Sequence, residues 1–148
     1  MACACQQTFY AFRGCVKLRG AFPKLVAIWD KAFNKDTGAG ATTPSSFVAR
    51  QGLPRLRQVG SKALEGFTGQ IVLAGAYPKL AVIKDRAFYH SGAASSSIAF
   101  PTGLPALAEV GDLAFAGFGG TSFFGGGRGA YPLLVSPWCD AEHNLPDV

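Results

Sequence analysis

Few side chains in this 148-residue sequence could take part in chemistry, and their spacing decides what each could do. Of the two histidines, His90 and His143, the first opens a serine-containing stretch, His90–Ser97, and follows closely on Asp85. Hydrolysis by such a trio needs a serine on a sharp elbow within hydrogen-bonding reach of the histidine. No Gly-x-Ser-x-Gly or comparable constellation occurs, so His90 reads as an exposed loop histidine. Cys3, Cys5, Cys15 and Cys139, with His143, supply thiol and imidazole groups that could ligate a metal. Structural zinc sites use paired Cys-x2-4-Cys or His-x3-5-His knuckles, and Cys3-Ala-Cys5 is not one. The cysteines also lack the even spacing of a small secreted disulfide framework, so reduced thiols are the expectation, with a Cys15 pairing left open. Gly117–Ser122 and Gly125–Gly129 lack the Gly-x4-Gly-Lys-Ser/Thr spacing of a phosphate loop. Asp30 and Asp85 occupy equivalent places in related segments and are read as turn formers or solvated charges. The expectation is therefore no catalytic residue, no cofactor and no metal.

The elements that hold these residues form an internal repeat, which must be found before any fold can be read. The phrase [Phe/Tyr/Leu]-Pro-x-Leu occurs at Phe22-Pro23-Lys24-Leu25, Leu53-Pro54-Arg55-Leu56, Tyr77-Pro78-Lys79-Leu80 and Leu104-Pro105-Ala106-Leu107, and degenerates at Tyr131-Pro132-Leu133-Leu134. An aliphatic residue follows three positions after each Leu (Ile28, Val59, Ile83, Val110), and then Ala32-Phe33, Ala63-Leu64, Ala87-Phe88 and Ala114-Phe115. Residues 12–34 match residues 67–89 at 12 of 23 positions, and residues 46–69 match 97–120 at 11 of 24. Two kinds of repeat therefore alternate, as duplication of a two-repeat unit would produce. Full repeats are placed at 22–52, 53–76, 77–103 and 104–130, a partial one at 8–21, and a degenerate repeat with tail at 131–148, all within one domain.

Before each Pro phrase, apolar residues alternate over a few positions: Val16 and Leu18, Phe47 and Ala49, Ile71 and Leu73, Ile98 and Phe100, and more weakly 122–124. Period-two alternation over so short a run predicts a strand with one buried face. Successive strands separated by one circuit of chain stack parallel. The Leu-x-x-Ile-x-x-x-Ala-Phe return segment supplies inward columns of aliphatic and aromatic side chains. One repeat cannot bury its own apolar face, and stacking does so.

The order of apolar strand, Leu-x-x-Ile and then Ala-Phe resembles the BspA-like leucine-rich repeats of surface antigens. Gln70-Ile71-Val72-Leu73 through Leu80, Ile83, Ala87 and Phe88 carry the resemblance, as do Leu107, Val110, Gly111, Ala114 and Phe115. It covers about residues 8–135. It departs from the family wording at Gly-Ala-Tyr-Pro and Gly-Leu-Pro, and at two inserts, 34–44 and His90–Ser97. The resemblance implies a leucine-rich-repeat solenoid, mainly β, with short parallel strands on the concave face and irregular or short helical return segments. It also implies adhesion or protein binding without shared catalytic residues. The Gly/Ser/Thr-rich inserts read as mobile loops on one edge.

If the strands line a binding face, the residues between the buried ones are its surface: Lys17, Arg19, Val48, Arg50, Gln70 and Val72, then Ser97 and Ala99. The chain carries +5 overall, unevenly: residues 1–74 hold ten Lys/Arg against three Asp/Glu (+7), and residues 75–148 hold four against six (−2). Lys17, Arg19 and Arg50 are accordingly expected to meet an acidic patch on a partner. The leading expectation is a non-enzymatic protein-binding or scaffold module. The alternatives are a cell-surface adhesin or glycan-binding fragment, and an anionic-surface or nucleic-acid binder using the basic half. Nucleic acid is disfavoured, because no basic run interleaves with aromatics. The first repeat begins in mid-coil and the last is broken by Pro137, so a longer array or end-to-end self-association is expected. No apolar run long enough to span a bilayer and no secretory leader is visible. Compartment is left open, with the cell surface allowed by the resemblance.

Overall fold

The computed structural model describes residues 2–4, 15–18, 22, 24–33 and 45–125. The chain winds as a β-solenoid in which every strand pairing is parallel. One sheet contains the strands expected from alternation: β2 (Cys15–Leu18), β4 (Ser46–Ala49), β6 (Gln70–Leu73), β8 (Ser97–Phe100) and β10 (Thr121–Phe124), stacked in that order. This is the long-strand sheet.

The return segments differ from expectation. They are not helical among the described residues, and beside their turns they contribute short strands to a second parallel sheet of β1 (Ala2–Ala4), β3 (Leu25–Ile28), β5 (Gln58–Val59), β7 (Val82–Ile83) and β9 (Glu109–Val110). The Leu-to-Ile spacing of three arises because the Leu closes a β-turn and the strand begins at it in the first coil, at Leu25, and after it in the others. Leu25, Leu56, Leu80 and Leu107 each donate their N–H to the carbonyl three residues back, at Phe22, Leu53, Tyr77 and Leu104. Pro54, Pro78 and Pro105 hold the second position of their turns, where a fixed φ and a missing donor are harmless. Just beyond the turn, stacking pairs backbone N–H groups with carbonyls of the preceding coil. Gly60 donates to Ile28 O at 2.7 Å, Lys84 to Val59 O at 2.9 Å and Gly111 to Ile83 O at 2.7 Å. Buried backbone groups need such partners, and that requirement makes strands of only two residues worth forming.

A third ladder runs through the Ala-Phe segments, with the donor direction reversed. Lys31, Lys62 and Arg86 donate to the carbonyls of Ser61, Asp85 and Asp112 in the following coil, and Phe33, Leu64 and Phe88 to those of Ala63, Ala87 and Ala114. The turn requires a left-handed residue at the same place in every coil, and Lys31, Lys62, Arg86 and Leu113 all have φ of 55–56°.

The core lies between the ladders as columns of equivalent residues. Leu56, Leu80 and Leu107 form one, Ile28, Val59 and Ile83 a second, and Ala32, Ala63, Ala87 and Ala114 a third, all buried. The alanines permit close approach of adjacent coils at the aromatic column of Phe33, Leu64, Phe88 and Phe115. One column breaks the apolar rule. Between Leu53 and Leu104 stands Tyr77, 1% exposed, whose hydroxyl has no hydrogen-bond partner. Tyr77 helps line a core cavity of about 10 Å³, shared with Ile28, Leu56, Ile83, Phe88 and Phe100 among others. A water there would find too few polar neighbours to be held. Burial pushes the phenol pKa above its ordinary value of 10.0.

Replacing Tyr77 by phenylalanine removes a polar group that folding strips of water without compensation, so stability should rise by about 1 kcal/mol in urea titration. The sign of the pH effect follows from the raised folded-state pKa. The unfolded phenol ionises first, so stability is lost as pH climbs past 10.0, by up to about 1.4 kcal/mol per pH unit. The Tyr77→Phe protein should lack this part of the alkaline loss. An identical pH profile in both proteins would contradict the assignment.

Candidate functional site

The long-strand sheet presents the surface expected to bind a partner, and its pleat decides which side chains point there. In β4, Phe47 and Ala49 enter the core while Ser46 and Val48 alternate with them; in β6, Ile71 and Leu73 enter and Gln70 and Val72 alternate; in β8, Ile98 and Phe100 enter and Ser97 and Ala99 alternate. On the outer strands, Cys15 and Lys17 of β2 and Thr121 and Phe123 of β10 are exposed. The register places Lys17, Val48, Val72, Ser97 and Thr121 in one continuous column across five coils. Cys15, Ser46 and Gln70 form a second column, and Cys15 Sγ lies 2.6 Å from Ser46 Oγ.

Of the expected contact residues, Lys17 and Arg50 are exposed, while Val48 and Gln70 are half-buried. Val72, enclosed between Val48 and Ser97 on neighbouring strands, is only 8% exposed. Arg19 lies outside the described residues. The face therefore runs from one basic edge through small and β-branched residues to Phe123, which is 53% exposed.

The column is continuous only because of a step the repeat alignment does not contain. Alignment by sequence sets Val72 beside Ala99, whereas the structure pairs Val72 with Ser97 and Leu73 with Ile98. A two-residue shift preserves which side chains face the core. Its cause is the insert at His90–Ser97, expected as a mobile edge loop and found built into the coil. Gly92 and Ala93 donate to the carbonyls of Phe67 and Gly69, Ser91 Oγ donates to Phe88 O, and Ser96 Oγ accepts the Ile71 N–H at 3.0 Å. Ser91 and Ser96 are buried. The other insert, 34–44, lies outside the described residues.

The groups with catalytic chemistry are engaged in structure. Asp30 Oδ1 accepts the Ser61 N–H at 2.8 Å, and Asp85 Oδ1 accepts the Asp112 N–H at 3.1 Å, each tying its coil to the next. They stand two coils apart, about 10 Å. His90 has φ of 46°, packs edge-on against Tyr89 at 4.2 Å, and has its imidazole beside Gly117. Ser91 is turned towards the Phe88 carbonyl, so Ser91, His90 and Asp85 are not assembled into a relay. Among the described residues no three His, Cys, Asp or Glu side chains gather as metal ligands. Gly66 and Gly117 share a left-handed φ of 69° and 67°, and Gly69 and Gly120 abut the carbonyls of Ser45 and Ser96, so the repeat accounts for these glycines. Gly126–Gly129, with Arg128, lies outside the described residues.

The aspartate caps were not foreseen as caps. Asp30→Ala should cost about 1 kcal/mol in urea unfolding, and Asp30→Asn, which keeps the acceptor oxygen, should restore most of it. Equal losses in the two variants would show that the hydrogen bond is not what the residue contributes.

Comparison of the chain with family models, curated proteins and solved structures finds no match. Among the described residues no helix is long and apolar enough to cross a membrane.

Proposed function

We propose that this chain is a non-enzymatic, protein-binding repeat module that seats its partner across the long-strand sheet. The observation that carries this reading is the continuous outer column of Lys17, Val48, Val72, Ser97 and Thr121. A parallel sheet whose outer side bears small, weakly charged side chains desolvates at low cost, while Lys17 and Arg50 add directional charge at one edge. The resemblance of Gln70–Leu73, Leu80, Ile83, Ala87 and Phe88 to BspA-like repeats supports the same reading, because that family is taken as adhesive or protein-binding. Asp30 and Asp85 support it from another side, since each ties its coil to the next, while Ser91 and His90 are engaged within their own coil by the Phe88 carbonyl and the Tyr89 ring.

The test is affinity capture with the intact chain, compared with Val48→Glu and, separately, Lys17→Glu with Arg50→Glu. Partners held by the native protein should be lost by Val48→Glu and weakened by the charge reversals. They should be retained by Arg86→Asn on the Ala-Phe ladder. Equal recovery by Val48→Glu and the native chain would remove the sheet face from consideration.

A further inference from the structure

The residue between Pro and Leu in each repeat phrase is Lys24, Arg55, Lys79 and then Ala106. In the structure these are the third residues of four stacked β-turns, whose closing hydrogen bonds are Leu25 N–H to Phe22 O, Leu56 to Leu53, Leu80 to Tyr77 and Leu107 to Leu104. Lys24, Arg55 and Lys79 are all exposed. They thus form a straight row with one cation per coil, spaced about 4.8 Å at the backbone and about 10 Å long. Arg57, also exposed, flanks the row beside Arg55. Among the described residues none of the three makes an ion pair or hydrogen bond.

Among the described residues the carboxylates lie elsewhere on the perimeter. Asp30, Asp85 and Asp112 sit at the Ala-Phe ladder, Glu65 is there beside Lys62 at 3.8 Å, and Glu109 belongs to the fourth coil, past the end of the row. Like charges brought together without counter-charges cost stability, and nothing in the turn demands them, as Ala106 shows.

We infer that this row of stacked turns is a binding ridge for a linear acidic polysaccharide of the uronate type. Such a polymer carries one carboxylate per sugar ring, and a pyranose ring is comparable in length to one coil. In a two-fold chain successive carboxylates face opposite sides, so the same-side carboxylates recur at every second coil and stay in step with Lys24 and Lys79. A stiff chain also loses little freedom on binding. An extended acidic peptide presents same-side carboxylates only about every 7 Å, out of step with the coils. A single-stranded nucleic acid relies on aromatic platforms for successive bases, and among the described residues only Phe22, 37% exposed at the first turn, stands beside the ridge. Phe22 instead suits the apolar face of one sugar ring at the end of the row. The ridge is separate from the face of the long-strand sheet, so each proposal can fail without the other.

The experiment is titration of the full chain with oligogalacturonate, alongside neutral galactan and oligothymidylate. The native chain should bind oligogalacturonate, less tightly as salt is raised, and not galactan. Lys24→Gln, Arg55→Gln and Lys79→Gln combined should weaken binding about tenfold, the joint effect of three exposed ion pairs. Lys31→Asn, Lys84→Gln and Arg86→Asn combined remove the same net charge, use a residue tolerant of left-handed φ at 31 and 86, and should change affinity by less than about twofold. Unfolding curves of both triple variants should overlay that of the native chain. If the ridge triple fails to fold, Arg55→Gln alone carries the comparison, and loss of affinity in it supports the ridge. Equal loss in the two triples, no loss in either, no binding at low salt, or tighter binding of oligothymidylate would each overturn the inference.

Discussion

Replacing Gly60 by alanine should destabilise the protein by about 3 kcal/mol, at the upper end for an overpacked site. A Cβ at Gly60 would meet the backbone N of Asp30 and come within 2.5 Å of both Asp30 Oδ1 and the Trp29 carbonyl carbon. Most of that obstruction is backbone, which cannot rotate away. The intruding atom would also press on the carboxylate that caps the Ser61 N–H, so one methyl group opposes two inter-coil contacts. Gly111 stands in the same relation to Lys84 and Asp85 in the next pair of coils, and Gly111→Ala should cost a similar amount. Urea unfolding of the two variants measures this. Losses below about 1 kcal/mol would mean that the coils separate easily at these points.

The same geometry recurs with the two alternating kinds of repeat. An aspartate in one coil lies over a glycine in the next, which leaves room for it. Asp30 over Gly60 and Asp85 over Gly111 are two copies of that arrangement.

Phe88→Ala should be more costly still, at about 4 kcal/mol. Phe88 is 1% exposed, stacks on Phe115 with ring centroids 5.1 Å apart and planes within 6°, and borders the cavity beside Tyr77. Truncation would join the vacated space to a void that already exists, and the surrounding columns are held by three hydrogen-bond ladders that resist collapse. Phe123→Ala, at a position 53% exposed, should change stability by less than about 0.5 kcal/mol. The pair of measurements separates ring burial from ring chemistry. Similar losses for the two phenylalanines would contradict the placement of Phe88.

The long-strand sheet was legible in the sequence because its cue is local. Phe47 and Ala49, Ile71 and Leu73, Ile98 and Phe100 each announce a buried face by alternation. The inward columns were legible because Leu, Ile or Val, Ala and Phe recur at matching places. The second sheet was hidden for a physical reason: Gln58–Val59, Val82–Ile83 and Glu109–Val110 are too short to show a period, and what makes them strands is the coil next door. The step between β6 and β8 was hidden too, since it depends on Ser91 and Ser96 turning inward to satisfy backbone groups, whereas their composition suggests a solvent loop. The row of Lys24, Arg55 and Lys79 was visible as letters within the Pro phrase, but it became a surface only once the turns were stacked in register. Among the proposed contact residues, alternation assigned Val48 and Val72 to one column, and no local pattern foretold that Val72 would be nearly enclosed.

The central claim is that a protein partner lies on the long-strand sheet, and site-specific photo-cross-linking in the intact chain tests it most directly. A photoreactive residue at position 48, in the middle of the outer column, should give a discrete conjugate with a second protein, and the same residue at exposed position 112, on the Ala-Phe ladder, should give none. A conjugate from position 112 alone, or the same conjugates from both positions, would contradict the claim.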